Sequence, residues 1–252
     1  MLQQPLLDRL SALRLPGFRQ GLEEQAVSAH YAELPFEDRL SLLVDREWQR
    51  RENARLARGL RAAHLQQTAY IEDLDLSPAR GLDRRSVLGL VQCDWIQRSL
   101  NLLILGPTGA GKTYLACALG QAACRHGISV RYLRTSRLLQ ELGHAHADGS
   151  YPRLLDSFAK VSLLVLDDWL RDPLTPVQAR DLLEIMDDRY GRSSTMVVAQ
   201  LPVADWHQRI ADPTIADAIL DRLVHNAHRL ELKGESQRKK RAPLAQSDHL
   251  EI

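Results

Sequence analysis

The chain is short of cysteine, of net charge and of long apolar runs, and each shortage narrows what it can be. Its three cysteines, Cys93, Cys117 and Cys124, are an odd number without C-x-x-C spacing and suggest no metal site; Cys117 and Cys124 fall on a helical stretch and read as small buried thiols. Lysine and arginine number 33 against 32 aspartates and glutamates, a formal net charge of +1. Nothing global therefore points to nucleic acid, and any such surface must come from how charge is distributed along the chain. No apolar run reaches the length needed to cross a bilayer. Met1–Leu10 carries Asp8 and Arg9 without a long apolar core, unlike a secretory signal, so the expectation is a cytoplasmic protein with no membrane contact. No internal repeat is visible.

What is present is ordinary globular material, 44% hydrophobic and 26% charged over 252 residues, enough for one large domain or a domain with an appendage. One stretch organises the rest. Leu102–Leu105 is apolar and strand-sized, stops at Gly106 and Pro107, and gives way from Lys112 to Leu115, Ala116, Leu119 and Ala123 at helical spacing. Gly106, Gly111, Lys112 and Thr113 match G-x-x-x-x-G-K-[ST] in the strand, loop and helix setting that this motif requires. The residue types suit the chemistry. Gly109 and Gly111 let backbone N–H groups close on an anion, Lys112 brings charge to the outer phosphates, and Thr113 offers an oxygen to Mg²⁺. Gly106, Pro107, Thr108, Gly109, Ala110, Gly111, Lys112 and Thr113 are the expected nucleoside-triphosphate site, with Mg²⁺ beside it.

Residues 1–65 predict a small all-α appendage broken at Pro16-Gly17 and Pro35. Its longest helical pattern, Asp38–Leu65, sets Arg46, Arg50, Arg51, Arg55, Arg58 and Arg61 mainly against Glu47 and Glu52. At about 100° per residue, Arg51, Arg55 and Arg58 share one face while Trp48, Leu56 and Leu60 share another, which predicts a basic stripe and a packing stripe. A solvated helix laced with Glu/Arg pairs is the plainer alternative. A connector over 66–100, marked by Ser77-Pro78 and Gly81, ends in a short helix at Val87–Ile96. Strands then follow at Leu102–Leu105, Ser129–Leu133, Val161–Leu166, Thr195–Ala199 and Arg229–Leu232, alternating with helices that include Thr175–Tyr190 and Ala216–Ala227. Such alternation predicts a parallel, doubly wound α/β domain over 66–240. The basic group Lys233, Arg238, Lys239, Lys240 and Arg241 leads into a frayed tail at 241–252.

The strand Val161–Leu166 ends in Asp167-Asp168. In a P-loop NTPase the first such acid holds Mg²⁺ and its neighbour polarises the attacking water, so Asp167 is the expected metal acid and Asp168 the expected base. Gln200, just past Thr195–Ala199, falls at the carboxyl edge of the sheet, where it can orient that water. Asp217–His228 reads as an amphipathic helix with Ile219, Leu223 and Ala227 on its apolar stripe and Arg222 beside it. Alone, Arg222 reads as a surface arginine. Brought from a neighbouring subunit, it would be a cation for the γ-phosphate, with Arg189 and Arg192 next in line.

Several stretches combine into a resemblance: L-R-L-P-G-F at Leu13–Phe18, the segment Leu40–Arg51, C-D-W-I at Cys93–Ile96, the G-P-T-G-A-G-K-T loop, L-D-D-W at Leu166–Trp169, A-Q-L-P at Ala199–Pro202, D-A-I-L-D-R-L-V-H-N at Asp217–Asn226 and E-L-K-G-E-S at Glu231–Ser236. Over nearly its whole length the chain resembles the IstB-type helper ATPases of insertion sequences, relatives of the DnaC-type helicase loaders within the AAA+ class. The resemblance implies a P-loop AAA+ base domain with a five-stranded parallel sheet in the order 5-1-4-3-2 and no C-terminal lid domain. It implies ATP as the nucleotide, and catalytic roles for Gln200 as sensor I and Arg222 as a finger acting in trans. It also implies homo-oligomers that form with ATP on duplex DNA, with little sequence preference, and that hand a target site to a transposase encoded alongside. DNA contact through Arg51, Arg55 and Arg58, and through Arg137 and Arg153 between the second and third strands, gains weight from it.

The chain departs from the AAA+ pattern at Asp168, at Gln200, at Leu170 just past Trp169, and in the few residues after its last strand, where the expected absence of a lid leaves the nucleotide dependent on a neighbouring subunit. Asp168 stands where glutamate is common in AAA+ proteins, and its shorter reach toward water suits slow hydrolysis that times an assembly. Gln200 replaces the commoner asparagine or threonine, and Leu170 stands where glycine is frequent. The competing readings are a helicase loader, which would prefer single strands, and a P-loop kinase of a small metabolite. Paired acids and Arg222 argue against the kinase, which needs an acceptor pocket and mobile cationic lid residues.

Overall fold

A computed structural model describes residues 4–234. The basic group Arg238–Arg241, the tail at 241–252, the last two residues of E-L-K-G-E-S and the question of a lid domain lie outside the described residues. The chain divides into two compact units, Met1–Arg58 and Gly59–Ile252. Among the described residues no helix is long and apolar enough to cross a membrane.

The first unit is helical: α1 spans Gln4–Ala12, α2 Pro16–Val27, and α3 begins at Phe36 and runs to Ala63, with a 3-10 turn at Ala29–Glu33 before it. Pro16 opens α2 at a position where its missing N–H costs nothing. The next two free donors of that helix, the N–H groups of Gly17 and Phe18, reach Glu47 Oε2 at 2.7 and 3.3 Å. A Cβ on Gly17 would lie 2.8 Å from that same carboxylate oxygen, so the close approach of α2 and α3 needs glycine there. Leu43 and Glu47 are thus the buried positions of this part of α3. The expected packing stripe is corrected at Trp48, which is 67% exposed, because the inward face is set by the α2 contact and not by side-chain size.

The second unit holds the sheet. Strands β1 (Asn101–Leu105), β2 (Val130–Arg134), β3 (Leu163–Asp167), β4 (Ser194–Ala199) and β5 (Ala227–Glu231) pair in parallel in the order β2-β3-β4-β1-β5, the order the resemblance implies when read from the other edge. Two short helices, α4 (Arg84–Val91) and α5 (Asp94–Gln97), precede β1. Crossovers are made by α6 (Lys112–Arg125), α7 (Thr135–Asp148) with α8 (Tyr151–Ala159), α9 (Pro176–Arg189) and α10 (Pro213–Val224). Side chains alternate across the pleat. Leu103, Leu105, Leu164, Leu166 and Val197 face the core built by α7 to α10, with Phe158, Leu182 and Ile219 packed against them. All five β1 residues are buried, as a strand covered on both faces must be.

Two helix expectations need correction. The stretch Val87–Ile96 is two helices, because Cys93 adopts φ +64° and turns the chain between them. The helix expected to reach Ala227 stops at Val224, where Asn101 Nδ2 donates to the carbonyls of Arg222 and Leu223 at 2.9 and 3.3 Å and satisfies the free acceptors of its last turn. Ala227 therefore leaves the apolar stripe and opens β5. All three cysteines are free and buried; burial pushes the thiols of Cys93 and Cys124 up to about 11 and raises that of Cys117, which keeps them protonated and unreactive.

Candidate nucleotide site

The loop between β1 and α6 sits at the carboxyl edge of the sheet, where open α/β folds bind ligands. Its glycines are required by conformation: Gly106, Gly109 and Gly111 have φ of +142°, +81° and +89°. At Gly106 a Cβ would also stand 2.4 Å from the carbonyl oxygen of Leu232, just past β5. Lys112 curls back under the loop, donating to the carbonyls of Gly106 and Pro107 at 2.7 and 2.9 Å. These bonds pre-position a buried ammonium beneath the loop, at the positive end of α6.

Asp167, the last residue of β3, is the hub of the site. Its Oδ2 accepts from Thr113 Oγ1 at 2.7 Å and from the Tyr132 hydroxyl at 2.6 Å, and Thr135 Oγ1 donates to its backbone carbonyl at 3.0 Å. Burial beside this carboxylate raises the pKa of Tyr132, so its hydroxyl stays a donor. Asp168 is held differently. It has φ +55°, an unusual conformation that aspartate tolerates better than most residues, and its N–H donates to Asp167 Oδ1 at 2.7 Å. Its side chain stays partly exposed, 3.7 Å from Arg171. Gln200 follows β4 and accepts from Thr108 Oγ1 at 2.7 Å, which ties it to the loop.

Around these groups lies a cavity of about 570 Å³, lined by Lys112, Thr113, Asp167, Asp168 and Gln200 together with connector residues that include Gln66, Asp73, Leu74 and Arg80. Of the sequence-predicted residues, the loop, both aspartates and Gln200 come together here. Arg222 does not. Its backbone is bonded to Asn101 at the start of β1, so about 13 Å of strand, four steps at roughly 3.3 Å, separates that edge from the loop. Arg222 ion-pairs with Asp187 of α9 and donates to Ala218 O at 2.9 Å. The alternative cation Arg189 is fully buried, donating to the carbonyls of Phe158 and Val161 and to Thr195 Oγ1; burial lowers its pKa to about 10, and it serves as a structural tie. Arg137 and Arg153 are exposed on α7 and α8.

Sequence reasoning missed the contribution of the connector. Buried Arg80 donates to the carbonyl of Ala110 inside the loop, while its own carbonyl accepts from Lys233 N–H at 2.8 Å, clamping the loop to the end of β5. Tyr132 and Thr135 were missed as well. The signal for them is the parallel register, which sets Arg134 beside Asp167 and so brings the end of β2 against the acid.

The family model for IstB-like ATP binding protein matches residues 8–245. The chain is 48% identical to the insertion sequence ATP-binding protein y4pL of Sinorhizobium fredii, over 95% of this chain and 98% of that one. It is 32% identical to the insertion sequence IS21 ATP-binding protein of Pseudomonas aeruginosa, over 93% and 88%. Among solved structures, DnaI aligns with a TM-score of 0.57 at 21% identity, covering 70% of this chain and 94% of that chain, and the DnaC helicase loader with 0.51 at 23%, covering 59% and 87%. These two likenesses concern the fold. A glycine loop closed over a buried lysine stands in a chain matched over nearly its whole length by insertion-sequence ATP-binding proteins, and the chain belongs to the IstB-like family of ATP-binding proteins.

Proposed function

We propose that the protein is a transposition helper: an ATPase whose subunits assemble with ATP on duplex DNA, present that DNA to a transposase encoded alongside, and use slow hydrolysis to time the assembly. The observation that carries this reading is the separation of Arg222 from the rest of the machinery, at opposite edges of one sheet. Lys112, Thr113, Asp167, Asp168 and Gln200 stand at the carboxyl edge, and Arg222 stands at the other. One subunit cannot bring Arg222 to its own phosphates, so the reading needs a neighbour. Membership among insertion-sequence proteins supports the transposase as partner.

In this reading the loop N–H groups and Lys112 hold the phosphates. Thr113 Oγ1 and the Asp167 carboxylate, hard oxygen donors 2.7 Å apart, fit Mg²⁺, which would neutralise phosphate charge when bound. Tyr132 fixes the Asp167 oxygen that Thr113 also meets. Asp168, free of the hub on its carboxylate side, is the group that polarises water, and Gln200 orients it while tied to Thr108. Arg222 from the adjoining subunit stabilises the charge that develops at transfer.

Subunit mixing is the direct test. Lys112→Ala should lose ATP binding and Arg222→Ala should bind ATP yet hydrolyse it poorly, while a mixture of the two should regain activity, since some interfaces then pair an intact loop with an intact finger. Mixed assemblies that form but regain nothing would remove Arg222 from the trans role.

A further inference from the structure

A second cavity, of about 610 Å³, lies between α4, the segment 69–76 and α6. Gln121 of α6 lines it and is only 7% exposed, yet its Oε1 has no hydrogen-bond partner among the described residues. A buried acceptor left this way is costly to keep from water and calls for a donor from elsewhere. Leu88 of α4 and Tyr70 are 44% and 41% exposed, leaving apolar surface open along the same groove. Arg84 and Arg125 also line it; the acid among its lining residues is Glu72, 3.5 Å from Arg125. Two arginines against one glutamate leave the groove cationic.

We infer that this groove docks a short acidic, apolar-faced peptide segment of the partner transposase, with Gln121, Leu88 and Arg84 as its contacts; the inference rests on the transposition-helper reading. Each part of the segment answers one feature of the groove. Its amide N–H meets Gln121 Oε1, its apolar side chain covers Leu88, and its carboxylate meets Arg84 and Arg125. A phosphate backbone would match the arginines and leave the apolar wall and the orphan acceptor unmet.

The groove shares a wall with the nucleotide pocket. Leu74 lines both cavities. The Tyr70 N–H donates to the Tyr114 hydroxyl at 3.3 Å, and that hydroxyl donates to Asp73 at 3.4 Å; Tyr114 and Asp73 both face the nucleotide pocket. A segment seated against 69–76 therefore presses on the wall of the ATP site, and docking and ATP binding shift each other by the same factor.

The test uses the full chain, the purified transposase encoded alongside, and the variants Gln121→Leu, Leu88→Glu and Arg84→Glu, none of which touches the glycine loop. Transposase affinity should fall by about tenfold or more in Leu88→Glu and Gln121→Leu, the size expected of central contacts, and severalfold in Arg84→Glu. Gln121→Leu should at the same time raise the melting temperature, since it removes an unsatisfied acceptor; stabilisation joined to lost binding separates a docking residue from a structural one. Transposase should alter ATP affinity in the wild type and not in Leu88→Glu. Variants that bind the transposase as the wild type does overturn the groove and leave the helper reading standing. Variants that keep transposase binding but lose self-assembly overturn it in favour of a subunit interface. A wild-type chain that does not bind the transposase overturns the helper reading and the groove together.

Discussion

Among single residues, Leu170 sets a strained backbone against a well-packed side chain. Leu170 has φ +49°, the left-handed region that glycine enters without cost, and it is also fully buried against the α7 to α10 core. Two effects compete in Leu170→Gly: the left-handed backbone costs leucine about 1–2 kcal/mol, while deleting a buried leucine side chain costs about 2–5 kcal/mol. Packing wins, so Leu170→Gly should destabilise the chain by about 2 kcal/mol net, read as a lower urea midpoint; an unchanged or higher midpoint would show the backbone strain to be the larger. Arg222 is a second case. Its partner Asp187 is partly exposed, and an ion pair of that kind is worth about 1 kcal/mol at most. If Arg222 must leave Asp187 to act in trans, Asp187→Asn should raise ATP turnover in assemblies by no more than about fivefold. Lower turnover would instead make Asp187 a support that positions the finger.

At the scale of elements, the packing of α2 on α3 hangs on one carboxylate. Glu47 accepts from Arg50 at 2.8 Å, from Arg51 at 2.8 Å and from two N–H groups at the start of α2, and these bonds, led by Arg50, hold its pKa down at about 2 against an ordinary 4.5. A depressed carboxylate stabilises the fold fully above its unfolded pKa and loses that contribution as pH falls through the folded value. The helical signal of the first unit should therefore weaken between about pH 4.5 and 2, and Glu47→Gln should flatten that dependence; an identical acid profile in both would remove Glu47 from the account. The sequence shows Glu47 only as a counter-charge to nearby arginines, because the donors that make it an inter-helix tie, the N–H groups of Gly17 and Phe18, lie some thirty positions away. Local signals did reveal the strands, the glycine loop and the two acids, since a buried strand and a phosphate loop are written in consecutive residues. The end of α10 was misread because a distant side chain, Asn101, stops it, and the connector was read as a spacer because Arg80 acts only once β5 has come back beside β1. Long-range partners of this kind leave no periodicity to read.

At the scale of the whole molecule, a net charge of +1 makes DNA binding a question of how many weak contacts are summed. Arg51 and Arg55 are already engaged by Glu47 and Glu52 at 2.8 and 2.7 Å, and Arg58 donates to the carbonyl of Ala54 at 3.3 Å. Each can lend part of its charge to a phosphate, but the paired carboxylates offset that gain, so a lone subunit should hold duplex DNA poorly. The proposed joining of subunits with ATP would place many such sites on one ligand and multiply a weak affinity without any new contact. Contacts of arginine with phosphate carry no sequence information, and binding should fall with salt by a log–log slope of about 0.9 for each phosphate neutralised. Binding to unrelated duplexes should therefore be similar, tight only with ATP, and steeply salt-dependent, and changing Arg51, Arg55 and Arg58 together to alanine should lower the slope. A slope that the triple variant leaves unaltered would move the DNA surface to Arg137 and Arg153 on α7 and α8, whereas strong preference for one duplex would overturn backbone recognition itself.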